Sequence, residues 1–196
     1  MFENLRTLLS RKTRYEREFY EAVKNTSNLG LGSYTAFKNT DNRLITNESI
    51  IQLSKSIEHL NFTPDLLVAQ CLEIHFKLKP YVDNFFGVNS TLTIGHVEGK
   101  IGGKAFYEPL EKRIEYLKTP VDIKSSINIH IWLTLPTLEI LDFTLPSTLA
   151  KALDLKDLEG AIIGQHGDDD NDHFYKPEFV GKEYLYKTGL MRFCIY

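Results

Sequence analysis

Residues 127–144, Ile-Asn-Ile-His-Ile-Trp-Leu-Thr-Leu-Pro-Thr-Leu-Glu-Ile-Leu-Asp-Phe-Thr, constrain the fold more than any other stretch of the chain. The first half alternates strictly. Ile127, Ile129, Ile131, Leu133 and Leu135 fall on one face and Asn128, His130, Trp132 and Thr134 on the other, the period-two pattern of a half-buried strand. Pro136-Thr137 interrupts the run, and Leu138 to Phe143 reads as a second short strand. With the turn centred on Pro136, positions whose numbers sum to 272 face each other, and His130 stands directly across from Asp142. Directly opposed residues have Cβ atoms about 5 Å apart. An imidazole and a carboxylate sharing one face at that separation form the base-and-orienter half of a catalytic triad.

A chain of 196 residues is long enough for one substantial domain. The reading is a single domain over 1–196, with an N-terminal helix-and-loop appendage at 1–45 and the core at 46–196. With 42% hydrophobic and 25% charged residues a packed core is expected. The formal charge of -3 supplies no basic field for nucleic acid. Two cysteines 123 positions apart make neither a disulfide framework nor an all-cysteine metal site; reduced thiols in a cytoplasmic protein are the simplest expectation. Met1 to Arg6 lacks the apolar core of a signal peptide, and no stretch reaches membrane-span length. A protein exported by a dedicated secretion machine would look the same.

In chain order, residues 3–25 read as a helix with a basic but partly neutralised face, and Asn25 to Arg43 as a loop that separates the appendage or drapes across a site. Thr46 caps a helix through Leu60. Thr63-Pro64 opens another that runs toward Phe86, its regular part near 65–79 because Pro80 should end or kink it, and Gly87 closes the segment. A strand over Ser90–Val97 leads into the turn Gly99–Gly103, which lacks the ending of a phosphate loop. Helices at Glu108–Leu117 and Leu145–Leu153, a strand at Glu159–Gln165, a helical turn at Gly181–Lys187 and a strand at Leu190–Tyr196 complete the pattern. Asp168, Asp170 and Asp172 have the spacing of a calcium loop, but His173 and Phe179 stand where its glycine and glutamate belong, so a solvated loop is the preferred reading.

Cys71 is the candidate nucleophile. Leu67, Ile74, Leu78, Val82 and Phe85 share its helical face, so the thiol points toward the sheet, which is also where an inert core cysteine sits. A helix presenting cysteine, followed by a hairpin presenting histidine and aspartate, supplies nucleophile, base and orienter in that order. Gln70-Cys71-Leu72-Glu73-Ile74, the strand Thr91 to Val97, His130-Ile131-Trp132 and Leu141-Asp142-Phe143-Thr144 together resemble the transglutaminase-like branch of the papain-like cysteine enzymes, over roughly residues 64–146. The resemblance implies an α+β fold in which the cysteine helix packs on an antiparallel sheet, with an added N-terminal helical portion. It makes Cys71 the nucleophile, His130 the general base and Asp142 the residue that orients the imidazole. It also implies the Cys71 amide as oxyanion donor, with Gln70 a weaker candidate, while Trp132 either walls the site or packs against a helix. A thiol is mostly protonated at neutral pH, and an adjacent imidazolium or helix N-terminus stabilises the thiolate. The family places its cysteine at a helix start, whereas a helix from Pro64 puts Cys71 two turns inside. Either Asp65 to Ala69 is a separate turn, or the helix-terminus contribution is absent.

The expected function is cysteine-dependent acyl transfer on an amide or peptide bond of a protein or peptide, as peptidase, amidase, deamidase or transglutaminase, with no cofactor, no nucleic-acid partner and no membrane. Two other classes compete. One is a non-catalytic binding module on the same scaffold. The other is a metal site in which Cys71 and His75, four apart on a helix, join His130 and Asp142; a surface histidine beside a buried thiol is preferred to it. Cys194 reads as core.

Overall fold

The computed structural model describes residues 12–99, 103–119, 121, 127–169 and 173–191. The fold is α+β. Its helices are α1 (Arg14–Asn28), α2 (Asn47–Ile57), α3 (Pro64–Leu67), α4 (Cys71–Phe86), α5 (Leu110–Lys118), α6 (Leu145–Leu153) and α7 (Glu183–Lys187). The strands are β1 (Thr91–Gly99), β2 (Gly103–Ala105), β3 (His130–Thr134), β4 (Glu139–Asp142), β5 (Ile163–His166) and β6 (His173–Val180). All described pairings are antiparallel, in the order β2-β1-β3-β4-β5 with β6 also on β1. Because β6 runs along Thr93 to Gly99, β3 and β2 share the other edge of β1, β3 against Thr91–Gly95 and β2 against Val97–Gly99. β2 therefore exits where β3 enters, which matters for the site.

The central hairpin forms with a register other than the expected one. Leu133 faces Leu141 and Thr134 faces Ile140, so facing numbers sum to 274. The loop is three residues, Pro136 to Leu138, closed by Leu135 N to Glu139 O at 2.8 Å and Leu138 N to Leu135 O at 2.9 Å. Leu138 takes φ +62°, the left-handed last position of a three-residue hairpin loop. Its fully buried side chain and its carbonyl, which accepts from Gly167 N at 3.0 Å, hold it there. A slip of one would have turned every side chain to the wrong face; a slip of two preserves the faces and makes His130 and Asp142 diagonal neighbours.

Neither face of this hairpin is solvated. Ile131, Leu133 and Leu141 pack with Leu92, Ile94 and Phe179 against Ile74, Leu78 and Val82 of α4. Trp132, Leu138 and Ile140 pack with Tyr175 and Val180 against Tyr15, Phe19, Ala22 and Val23 of α1. Each buried Val, Leu, Ile or Phe among them contributes about 1.5–3 kcal/mol by leaving water. Within the segment read as an appendage, α1 thus forms a second helical layer on the sheet. Trp132 Nε1 donates to Tyr15 Oη at 2.9 Å, and Asp168 Oδ1 accepts from Tyr15 N at 2.8 Å, closing the start of α1. The following loop packs along both layers: Leu31 joins the core beside α4, Phe37 stacks on Phe19, and Glu139 accepts from Leu44 N and Ile45 N.

The helix expected from Pro64 is two helices, α3 and α4. Pro80 neither ends nor stops α4, which runs on to Gly87; the proline lies on its exposed face, where the lost amide bond leaves no buried group unpaired. Thr46 and Ser49 form the expected cap of α2 reciprocally, at 3.0 and 2.8 Å. β6 was not anticipated. Pro177 sits at its bulge opposite Gly95, where a Cβ on the glycine would lie 1.9 Å from Lys176 O. The strand expected at 159–165 is shorter and later, and Leu190 and Met191 are not strand. Asp170, Asp172 and Cys194 lie outside the described residues. Among those described, no helix is long and apolar enough to cross a membrane.

Candidate active site

Cys71 is the first residue of α4 because the backbone breaks just before it. Pro64 starts the single turn of α3, and Leu67 anchors it in the core at 6% exposure. Val68 is extended, Ala69 takes φ +56° and Gln70 stands at the cap position. The Ala69 amide donates to Thr148 Oγ1 of α6 at 3.1 Å, which holds the left-handed residue in place. Of the two alternatives raised by the sequence, the separate turn is what forms. The Cys71 amide is consequently one of the free donors at a helix start, where the helix dipole favours negative charge.

The start of α4 meets the end of the hairpin. The Cys71 thiol donates to Ile129 O at 3.8 Å and lies against the His130 imidazole, whose protonated form it helps to stabilise. His130 Nε2 donates to Asp142 Oδ2 at 2.5 Å, leaving Nδ1 as the nitrogen for the sulfur. Diagonal register suffices because an imidazole spans the extra distance. Asp142 Oδ2 also accepts from Tyr175 Oη at 2.8 Å. Asp142 Oδ1 accepts from Thr144 N at 3.0 Å, Thr144 Oγ1 at 3.2 Å and Leu145 N at 3.0 Å, the last being the start of α6.

All three groups are buried: Cys71 is 8% exposed, His130 1% and Asp142 0%. Burial alone pulls the His130 pKa down, but the Asp142 charge, its hydrogen bond and the Cys71 thiol outweigh it and raise the value to about 10. Burial likewise opposes ionisation of Asp142, yet His130, His75 and the Thr144 amide hold that carboxyl well below the usual range. At neutral pH the site therefore carries an imidazolium and a carboxylate beside Cys71.

His75 is fully buried, not the surface residue expected of it. Its Nδ1 lies 2.8 Å from Cys71 O, which can only accept, so Nδ1 carries the proton. Nε2 then accepts from Phe143 N at 3.1 Å. With its lone pair so engaged, and its pKa lowered to about 4 chiefly by burial, His75 is a neutral clamp joining α4 to Phe143, the residue after β4. Nothing is left on it for a metal. Among the described residues, no group of three or more His, Cys, Asp and Glu is placed to hold one. Asp168, a calcium-loop candidate, is committed to the start of α1.

Trp132 stands beside His130 with ring centroids 6.0 Å apart, fully buried and packed on α1 rather than on the helix that carries Cys71. Gln70 precedes the thiol but is exposed and does not cap the helix with its side chain. It lines a cleft of about 510 Å³ with Leu60, Phe62, Leu66, Glu73 and Ile74. Sequence reasoning missed Phe106, stacked on His130 at 4.9 Å, and Tyr175. The adjacent aromatics Phe174-Tyr175 are the local strand signal for the latter, and Pro177 argues against it. Compared with known proteins, the chain matches no family model, no curated protein and no solved structure.

Proposed function

We propose that this chain is a cysteine-dependent acyl-transfer enzyme with a transglutaminase-like, papain-like core, acting on an amide or peptide bond of a protein or peptide. The observation that carries the reading is the start of α4: Cys71 is its first residue, and its thiol faces an imidazole whose other nitrogen is bound to a buried carboxylate.

The chemistry follows from the roles of these groups. His130 holds the proton and Cys71 the negative charge, an ion pair favoured by the helix start. The sulfur attacks the carbonyl carbon, and the Cys71 amide donates to the developing oxyanion. His130 passes its Nδ1 proton to the leaving amine as the carbon–nitrogen bond breaks, giving a thioester. Water or an amine, deprotonated by the now neutral imidazole, attacks that thioester, and the sulfur leaves as the thiolate, restoring the thiolate–imidazolium pair. Asp142 keeps Nε2 protonated throughout, so that Nδ1 does the transfer. Water as acceptor makes the enzyme a hydrolase and an amine makes it a transglutaminase.

Iodoacetamide alkylation of Cys71 across pH tests the reading, with Cys71→Ala reporting Cys194 and His130→Ala removing the partner. Rapid reaction below the ordinary thiol range that vanishes without His130 is the expected result. A Cys71 that alkylates only on unfolding leaves a binding module on this scaffold and ends the enzymatic reading.

A further inference from the structure

The shared edge of β1 brings two chain ends together. Ala105, the last residue of β2, faces Val97, and His130, the first of β3, faces Gly95. The chain leaving β2 therefore turns over the residue that opens β3. That turn places the Phe106 ring 4.9 Å from the His130 ring, with planes 16° apart. Trp132 and Tyr175 also flank the imidazole but are fully buried, whereas Phe106 is half-buried, so Phe106 is the ring between His130 and solvent.

Phe106 is held there at a conformational cost. Its φ is +60°, a region that residues other than glycine seldom enter and that persists only where surroundings enforce it. Arg113 of α5 is the enforcing group. Its Nη2 donates to Phe106 O at 2.9 Å and to Gly95 O at 3.3 Å. One guanidinium thus joins the residue opposite His130 to the residue stacked upon it. Arg113 is fully buried, its Nε 2.5 Å from Glu178 Oε2, and Glu178 Oε1 meets His96 Nδ1 at 2.7 Å. Burying such an ionic set is rarely stabilising in itself, and here it fixes the carbonyls of the residue paired with His130 and of the residue stacked on it.

We propose that Phe106 is a positioning residue for the Cys71–His130 pair: its ring, set by Arg113, keeps the imidazole turned to the thiol and shielded from water. This rests on the acyl-transfer reading above. Among the described residues, the titratable groups facing the imidazole are Asp142 of β4, Cys71 and His75 of α4 and Tyr175 of β6, and the ring it meets from the β2–α5 turn is Phe106. Removing the ring admits water, which screens the ion pair and frees the imidazole to rotate.

Phe106→Leu keeps bulk without a flat ring, and Phe106→Tyr keeps the ring. For each, iodoacetamide alkylation of Cys71 and the thiolate ultraviolet absorbance are followed across pH, with thermal melting as a check on folding. The expected result is an alkylation rate for Phe106→Leu about tenfold lower near pH 6, with the thiolate signal displaced upward by about one pH unit, and wild-type behaviour for Phe106→Tyr. If Phe106→Leu is too unstable to assay, Phe106→Met takes its place with the same expectation. A folded leucine or methionine variant with the wild-type pH profile overturns the inference alone. A wild-type Cys71 without His130-dependent reactivity overturns the acyl-transfer reading, and this inference with it.

Discussion

Two histidines share one carboxylate in this molecule, and they titrate in opposite directions. His130 and His75 are both buried, their rings are 6.5 Å apart, and each has a nitrogen near Asp142. His130 is raised to about 10 and His75 lowered to about 4. Burial acts alike on both, so the difference lies in the partners. His130 donates directly to Asp142 Oδ2 at 2.5 Å and has the thiol on its other side. His75 stands 3.5 Å from Oδ1, with both nitrogens taken by neutral backbone groups of opposite polarity, the Cys71 carbonyl and the Phe143 amide. A nearby charge does not protonate a buried imidazole whose hydrogen bonds are already satisfied in the neutral form; a direct bond to that charge does. One histidine is thereby held charged beside Cys71, and the other holds the first turn of α4 against the hairpin.

The most severe way to break this contrast is Asp142→Asn, which keeps shape and removes charge. His130 loses the partner that outweighs burial, and Cys71 loses its cation. Cys71 alkylation near pH 6 is expected to fall roughly 10²- to 10³-fold, toward that of an ordinary thiol. Folding stability is expected to drop by about 3–5 kcal/mol, since the imidazole and four other described donors lose or weaken an ionic acceptor. Alkylation at wild-type rate in a folded Asn variant would show that the thiol is activated without this pair.

How far this site could be read from the chain depends on which interaction decided each feature. The alternation of Ile129, Ile131 and Leu133 against His130 and Trp132 is local, and it put His130 and Asp142 on one face even though the assumed turn was two residues short. The error was harmless for a periodic reason: an even slip exchanges partners without exchanging faces. Cys71 was legible as a member of an apolar helical stripe. Its place at the helix start was not, because the break depends on Ala69 adopting φ +56° and bonding Thr148, 79 positions away. β6 was lost because Pro177 argues against a strand, and only its pairing to the bulge at Gly95 makes the proline admissible. Phe106 and Arg113 reach His130 through strand pairing that no local pattern announces.

The pH dependence of stability sharpens the contrast. His130 binds its proton more tightly when folded, so the stability it contributes is full below about pH 6.5 and is lost as pH rises toward 10. His75 refuses its proton when folded until about pH 4, whereas the unfolded chain takes one near 6.5. Its effect is therefore a loss of stability as pH falls from about 6.5 to 4, about 3 kcal/mol in all. His75→Gln is expected to flatten the acid limb of a denaturant-midpoint profile while leaving the alkaline limb in place. Some acid slope will remain, because burial lowers the pKa of His166 as well. An unchanged acid limb would mean that His75 titrates normally and that its two backbone bonds do not hold it neutral.

The smallest expected effect tests whether Asp142 depends on any one donor. Tyr175 Oη donates to the same Oδ2 that receives His130, and burial together with the carboxylate raises the Tyr175 pKa well above its ordinary value, so it remains a donor at every relevant pH. Tyr175→Phe removes that hydroxyl while keeping the ring that packs at 5.0 Å against Trp132. The loss is one hydrogen bond to a charged acceptor, about 1.5–3 kcal/mol of stability, visible as a lower denaturant midpoint with an unchanged slope. Asp142 keeps His130, the Thr144 amide and hydroxyl, and the Leu145 amide, so it stays ionised and the imidazole stays charged. The alkylation profile of Cys71 is accordingly expected to shift by less than about half a pH unit. If that profile instead collapses as it does in Asp142→Asn, the imidazolium is sustained by the tyrosine hydroxyl as much as by the carboxylate, and direct bonding to the charge is not what separates His130 from His75.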